Sequence, residues 1–106
     1  MDKGIPYLKN IVFTFIIVAL GIWAGGCAPV TIRNFEKEGA KAYNTSDYAA
    51  ALEKWQAGLE LARELDEKRY IGQFLYNIGL AHDQQSRYQN ALDAYQEALE
   101  TYRKMD

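Results

Sequence analysis

Residues 76–100 read YNIGLAHDQQSRYQNALDAYQEALE. Tyr88, Ala91, Leu92, Tyr95, Leu99 and Tyr102 follow one another at steps of three and four, which puts them on one face of a helix. Ahead of them Leu75, Ile78, Gly79 and His82 mark a second helix by the same steps. The polar stretch Gln84-Gln85-Ser86-Arg87 lies between the two. Ser86, followed three places later by Gln89, has the pattern of a capping box, which would satisfy two free amides at the start of the last helix. The pattern predicts a helical hairpin with Leu92 as a core side chain.

The same text occurs forty residues earlier in altered form. Gly39 aligns with Gly79, Ser46 with Ser86, Tyr48 with Tyr88, Ala51 with Ala91 and Leu52 with Leu92. The register continues through Gln56 and Gln96, Leu59 and Leu99, and Arg63 and Arg103, with Trp55 against Tyr95 and Gly58 against Ala98. A fixed period of this size is the mark of stacked supersecondary units. In the first unit Phe35, Gly39 and Ala42 belong to one helix, and Tyr48 to Ala62 to the next, across the turn Asn44-Thr45-Ser46-Asp47. Proline occurs only at Pro6 and Pro29, so nothing obligatorily breaks a helix beyond residue 30. Helices are expected at about 33–44, 47–67, 69–85 and 87–105.

These residues resemble the tetratricopeptide repeat, in which a small residue of the first helix lets the second approach and an aromatic fills the space between them. Gly39 and Gly79 match the first small position, Ala51 and Ala91 the second, Trp55 and Tyr95 the aromatic, and Gly58 and Ala98 the last small position. The first unit departs from the pattern in having Glu38 where a large apolar residue precedes the glycine. The period also exceeds the usual 34 residues. Six more residues lengthen the helix pair by about 9 Å in total. The resemblance implies an all-α fold of two tetratricopeptide-type hairpins, a fragment of an α-solenoid, at 35–68 and 69–106.

The first thirty residues are of another kind. Lys3 and Lys9 precede the uncharged run IVFTFIIVALGIW, which closes on Ala24-Gly25-Gly26-Cys27. A positive start, an apolar centre and small residues at a cut are the layout of an export signal. The segment resembles a bacterial lipoprotein signal, with residues 1–26 removed and Cys27 as the lipidation site, followed by a short tether at 27–34. An uncleaved signal anchor is the alternative, because an apolar helix of about twenty residues spans a bilayer. Either way the leading lysines hold the N-terminus in the cytoplasm and the remainder is exported. The resemblance implies membrane attachment through lipid at Cys27 on the non-cytoplasmic side of a bacterial envelope. With Ala28 rather than Asp after the cysteine, it implies the periplasmic face of the outer membrane in a Gram-negative host.

Composition excludes several functions. The chain has 12 Lys plus Arg against 14 Asp plus Glu, mixed along the sequence, so no basic footprint for nucleic acid exists. One cysteine and one histidine are too few for a metal site of soft ligands, and neither a nucleophile with its base nor a phosphate-cradling glycine loop is present. Glu60 and Glu64, Asp66 and Glu67, and Glu97 and Glu100 lie among Lys and Arg and read as solvated helix faces. His82 stands at a packing position. The protein is expected to be a non-enzyme without cofactor or metal.

A binding role is the remaining expectation. Tyrosine presents a large contact area at little entropic cost, and the chain has eight. Tyr48, Tyr88 and Tyr95 are expected to be structural, on the seam between helices. In the family, protein or peptide ligands lie against the first helix of each hairpin. Mapped here, that groove is Arg33, Glu36, Ala40, Tyr43 and Asn44 from the first unit, with Gln73, Tyr76, Asn77, Leu80, Asp83 and Gln84 from the second. Family members that clamp a terminal carboxylate use lysines and asparagines. Asn77 fits that set, but Glu36 stands where a lysine belongs, so this ligand is not expected. The last helix carries Tyr102 and Met105 toward the place of a further unit, and it is expected either to self-associate or to belong to a longer protein.

Overall fold

The computed structural model describes residues 30–105; Cys27, the apolar run before it and Asp106 lie outside the described residues. Four helices follow in order: α1 (Val30–Asn44), α2 (Tyr48–Glu64), α3 (Lys68–Gln84) and α4 (Tyr88–Lys104). Among the described residues there is no strand, and no helix is long and apolar enough to cross a membrane. Residues 30–34 of the stretch read as a tether are already helical, and Ile32 is fully buried.

Every helix-to-helix connection is built alike. Residues 45–47, 65–67 and 85–87 each contain one residue in the left-handed region: Ser46 (φ 63°), Asp66 (φ 54°) and Ser86 (φ 62°). The backbone amide after each turns back to a carbonyl of the preceding helix: Asp47 N–H to Ala42 at 2.8 Å, Glu67 to Ala62 at 2.9 Å and Arg87 to His82 at 2.9 Å. Ser46, Asp66 and Ser86 likewise donate to Tyr43, Arg63 and Asp83. This paired pattern closes the orphan carbonyls at a helix end, as a left-handed residue after the cap permits. The 40-residue period is thus two helix-and-turn steps of equal length.

The turn chemistry overturns the capping box. Ser86 belongs to the end of α3, and the residue that caps α4 is Arg87, which makes no side-chain cap bond. Gln89 instead donates to Asp93 at 3.0 Å, and the Tyr88 hydroxyl donates weakly to Ser86 at 3.4 Å. The side-chain cap appears at α2, where Asp47 accepts from the Ala50 amide at 3.2 Å. There an ionised acceptor stabilises the free N–H groups of the first turn.

Packing follows the small residues. A methyl group on Gly39 would fall within the Trp55 indole, and one on Gly79 within the Tyr95 ring, so each hairpin closes where backbone alone faces an aromatic. Gly58 of α2 meets the Phe74 ring of α3 in the same manner, which joins the first hairpin to the second. Two pairs of aligned positions exchange bulk: the first unit has Ile32 and Ala62, both fully buried, where the second has Gly72 and Tyr102 in contact. Summed volume is conserved while the sequence differs, which a close-packed interior tolerates.

Burial then divides two helices that share a pattern. Leu52 and Leu59 of α2 are 7% and 9% exposed, but their counterparts Leu92 and Leu99 of α4 are 48% and 51% exposed. Leu92 is therefore not a core side chain. Tyr88 is also open to solvent, contrary to its expected place in the seam, whereas Tyr48 and Tyr95 are half-buried. The cause is that α2 lies between α1 and α3, while among the described residues α4 has α3 on one side and nothing opposite. What α4 does bury is its small stripe, Ala91, Ala94 and Ala98.

Candidate protein-binding face

The first helices of the two hairpins, α1 and α3, meet through the residues expected to line a groove. The Glu36 carboxylate accepts from the Gln73 side-chain amide, linking the two helices across that face. The Glu36 backbone carbonyl accepts from the Trp55 indole N–H at 3.3 Å, so the same turn of α1 is also held from beneath by α2. Glu36, Ala40, Tyr43, Gln73, Asn77 and Leu80 are half-buried, and Arg33, Asn44, Tyr76, Asp83 and Gln84 are exposed. A floor of partly covered side chains with an open polar rim is the usual anatomy of a surface that binds protein.

Aromatic rings give this face its second element. Tyr43 packs edge-on against Tyr48, with centroids 5.2 Å apart, and lies tilted over Trp55 at 5.7 Å. Tyr76 lies tilted against Tyr95 at 5.6 Å. These separations are in the favourable range for aromatic pairs, which adds to what their burial contributes. Burial pushes the Tyr95 hydroxyl above its ordinary value, and the charges of Asp83, Tyr76 and Tyr43 act in the same direction. Tyr95 therefore stays protonated at neutral pH and offers an O–H donor. Of the expected groove residues, Tyr76 is the one whose ring lies against it.

Tyr95 is the residue that sequence reading assigned too narrowly. Its ring fills the space over Gly79, as the aromatic position requires, and also lies against Tyr76 of the expected groove. One signal pointed to this: Tyr76, an expected groove residue, stands three places before Gly79 on the same helix, so a ring over that glycine comes within its reach.

His82 is half-buried, as a packing residue would be, and burial lowers its pKa, with the Arg87 charge adding to the effect. Its Nδ1 has no hydrogen-bond partner. Of the carboxylate pairs considered above, Glu97 forms an ion pair with Arg63 at 2.5 Å across α2 and α4, both side chains being about half exposed. Such a pair contributes a few tenths of a kcal/mol, roughly. No cluster of three or more His, Cys, Asp or Glu able to hold a metal occurs among the described residues.

Comparison with known proteins agrees with this architecture. Residues 72–105 match the tetratricopeptide repeat model, and the chain contains such a repeat. That span holds Gly79, Ala91, Tyr95 and Ala98, the residues of the second unit on which the resemblance rested. The chain is 37% identical over 71 residues to the photosystem I assembly protein Ycf3 of Synechococcus elongatus, covering 67% of this chain and 39% of the relative. Ycf3 of another Synechococcus strain matches at the same identity over the same length. The chain thus spans about two fifths of the curated relatives it matches. No solved structure matches it.

Proposed function

We propose that this chain is a non-enzymatic protein-interaction scaffold, tethered to a bacterial envelope membrane, that helps a protein complex assemble. The observation that carries the binding role is the face shared by α1 and α3, where Glu36 and Gln73 are joined and the Tyr43 and Tyr76 rings are held by Tyr48, Trp55 and Tyr95. A protein segment lying there meets tyrosine rings, amide groups and two carboxylates, a surface suited to an extended chain with a basic or polar side chain. The assembly role is supported by the relatives, which are named as assembly proteins.

The tether rests on the sequence alone: two lysines, an uncharged apolar run and Ala24-Gly25-Gly26-Cys27. Lipid on Cys27 would hold the domain at the membrane, since each buried methylene contributes about 0.8 kcal/mol. The residue Ala28 favours the outer membrane if the host is Gram-negative. Pairing between copies through α4 is the rival reading, favoured by the exposure of Leu92 and Leu99.

Two variants test these parts separately. Cys27→Ala should abolish incorporation of a clickable fatty acid and leave the chain uncut; undiminished labelling would end the lipoprotein reading. Tyr76→Ala should deplete a partner recovered by cross-linking in the native envelope, with the chain still folded and still lipidated. Recovery of the same partners in the same yield would remove the α1–α3 face from the account.

A further inference from the structure

The four helices alternate in direction, which gives the stack two distinct ends. Gly72 near the start of α3 meets Tyr102 near the close of α4, and Gly58 toward the close of α2 meets Phe74 toward the start of α3. Glu36 reaches Gln73 at matching depths in α1 and α3. One end therefore gathers the starts of α1 and α3, the closes of α2 and α4, and the turn at residues 65–67. The turns at 45–47 and 85–87 lie at the other.

Charge and apolar surface are divided unequally between these ends. In the four residues of each helix nearest the first end stand Arg33, Arg63, Lys68, Arg69, Arg103 and Lys104, all exposed, with Arg63 held by Glu97. Against these six, the same helix ends and their turn hold three acids among the described residues, Glu64, Asp66 and Glu67. The far end, counted in the same way, holds two of each sign: Lys41 and Arg87 with Asp47 and Asp83. The turn at the basic end also carries Leu65, 39% exposed, whereas Thr45-Ser46-Asp47 and Gln85-Ser86-Arg87 carry no apolar side chain. Helices stacked side by side leave their ends uncovered, so this surface does not depend on what lies beside α4.

The tether joins the chain at this same end. Cys27 stands three residues before Val30, where α1 begins, and three residues of chain reach at most roughly 10 Å. A leaflet of anionic phospholipid attracts lysine and arginine beside a membrane anchor, over a screening length of about 10 Å at moderate salt. We propose that the end of the stack formed by the starts of α1 and α3 and the turn at 65–67 is a membrane-docking surface, and that its occupant is the anionic leaflet holding the tether. Lys68, Arg69 and their basic neighbours take the lipid phosphates, and Leu65 enters the headgroup layer. This rests on the tether proposed above, lipid or uncleaved anchor, and gives it an orientation. The helices stand away from the surface, and the far turns lie roughly 25 Å from it, the length of a 17-residue helix. The α1–α3 face is left open at the side to a protein partner.

The full chain, produced in a bacterial envelope and purified in mild detergent, is reconstituted into vesicles of phosphatidylcholine and phosphatidylglycerol in equal parts. Photoreactive p-benzoylphenylalanine replaces Leu65 in one preparation and Thr45, at the far end, in another. Flotation of the vesicles reads the tether, and phospholipid adducts counted by mass spectrometry after illumination read the docking. Adducts at residue 65 are expected to exceed those at residue 45 at least tenfold. They should fall at least fivefold in the double variant Lys68→Glu, Arg69→Glu, and equally in vesicles of phosphatidylcholine alone, while the chain still floats and its circular dichroism is unchanged. Equal adducts from the two positions of a floating chain, or adducts indifferent both to the charge reversal and to the lipid charge, would overturn the proposal and leave the tether standing. Cross-linking of residue 65 in the native envelope to a protein or a second copy, without lipid adducts, would overturn it as well. A chain that does not float removes the tether and the docking surface with it.

Discussion

Helices α2 and α4 carry one pattern and meet two fates. Each has leucines seven residues apart, an aromatic between them and a small residue before the second leucine, yet α2 buries both leucines and α4 exposes both. What differs is the neighbour. A helix in a stack has two sides to cover, and its sequence specifies both sides whether or not each is occupied. Burial in such a protein is a property of the pair of helices, which no single-helix pattern contains.

The largest effect should come from deleting the paired leucines. Leu52→Ala removes a buried core side chain and is expected to cost about 2 to 5 kcal/mol. Leu92→Ala, at an exposed position, is expected to cost less than about 1 kcal/mol. Urea unfolding of both variants makes the comparison, and equal losses would show that α4 is covered in solution. A smaller contrast is expected at the glycines. Gly39→Ala drives a methyl group into Trp55, which is buried and cannot move aside, whereas the half-buried Tyr95 over Gly79 can swing outward. Overpacking of a fixed ring costs roughly 1 to 3 kcal/mol, so Gly39→Ala should lower the melting temperature more than Gly79→Ala. The reverse order would mean that the second hairpin is the tighter one.

The smallest effect separates the units by pH, because His82 stands where the first unit has Ala42. The His82 pKa is lowered from 6.5 in the folded chain by burial and then by Arg87, so the unfolded state binds its proton more readily. Stability from this group is fully present above 6.5 and is lost as pH falls from there through the folded value. His82→Gln should flatten the decline of melting temperature between neutral and mildly acid pH. An unaltered pH profile would show that the histidine is solvated alike in both states.

Much of this was legible in the sequence, and the parts that were not have identifiable causes. The 40-residue register located both hairpins, and Gly39 with Trp55 and Gly79 with Tyr95 gave the contact that closes each. Those pairs are local and repeat, so pattern suffices to find them. The turn at residues 65–67 was absorbed into a helix because Leu65-Asp66-Glu67 contains no glycine or proline, and Asp66 enters the left-handed region without them. Phe74 was overlooked as the link between hairpins, since its partner Gly58 lies in the other repeat and only a folded chain pairs them. For the α1–α3 face, spacing alone was enough to choose a set of residues on one side of two helices. The contact of Tyr76 with Tyr95 depends on ring packing between helices, which spacing along a chain does not encode.

The difference between α2 and α4 can be measured directly by thiol labelling. In a Cys27→Ser background, Leu52→Cys and Leu92→Cys place a single cysteine at each aligned position of the full chain. A thiol inside the core reacts only when the structure opens, so its rate falls below that of an exposed thiol by the equilibrium constant for opening. The account predicts that residue 92 is modified at nearly the rate of the unfolded chain and residue 52 at least a hundredfold more slowly. Equal protection at both positions in the isolated chain would contradict it.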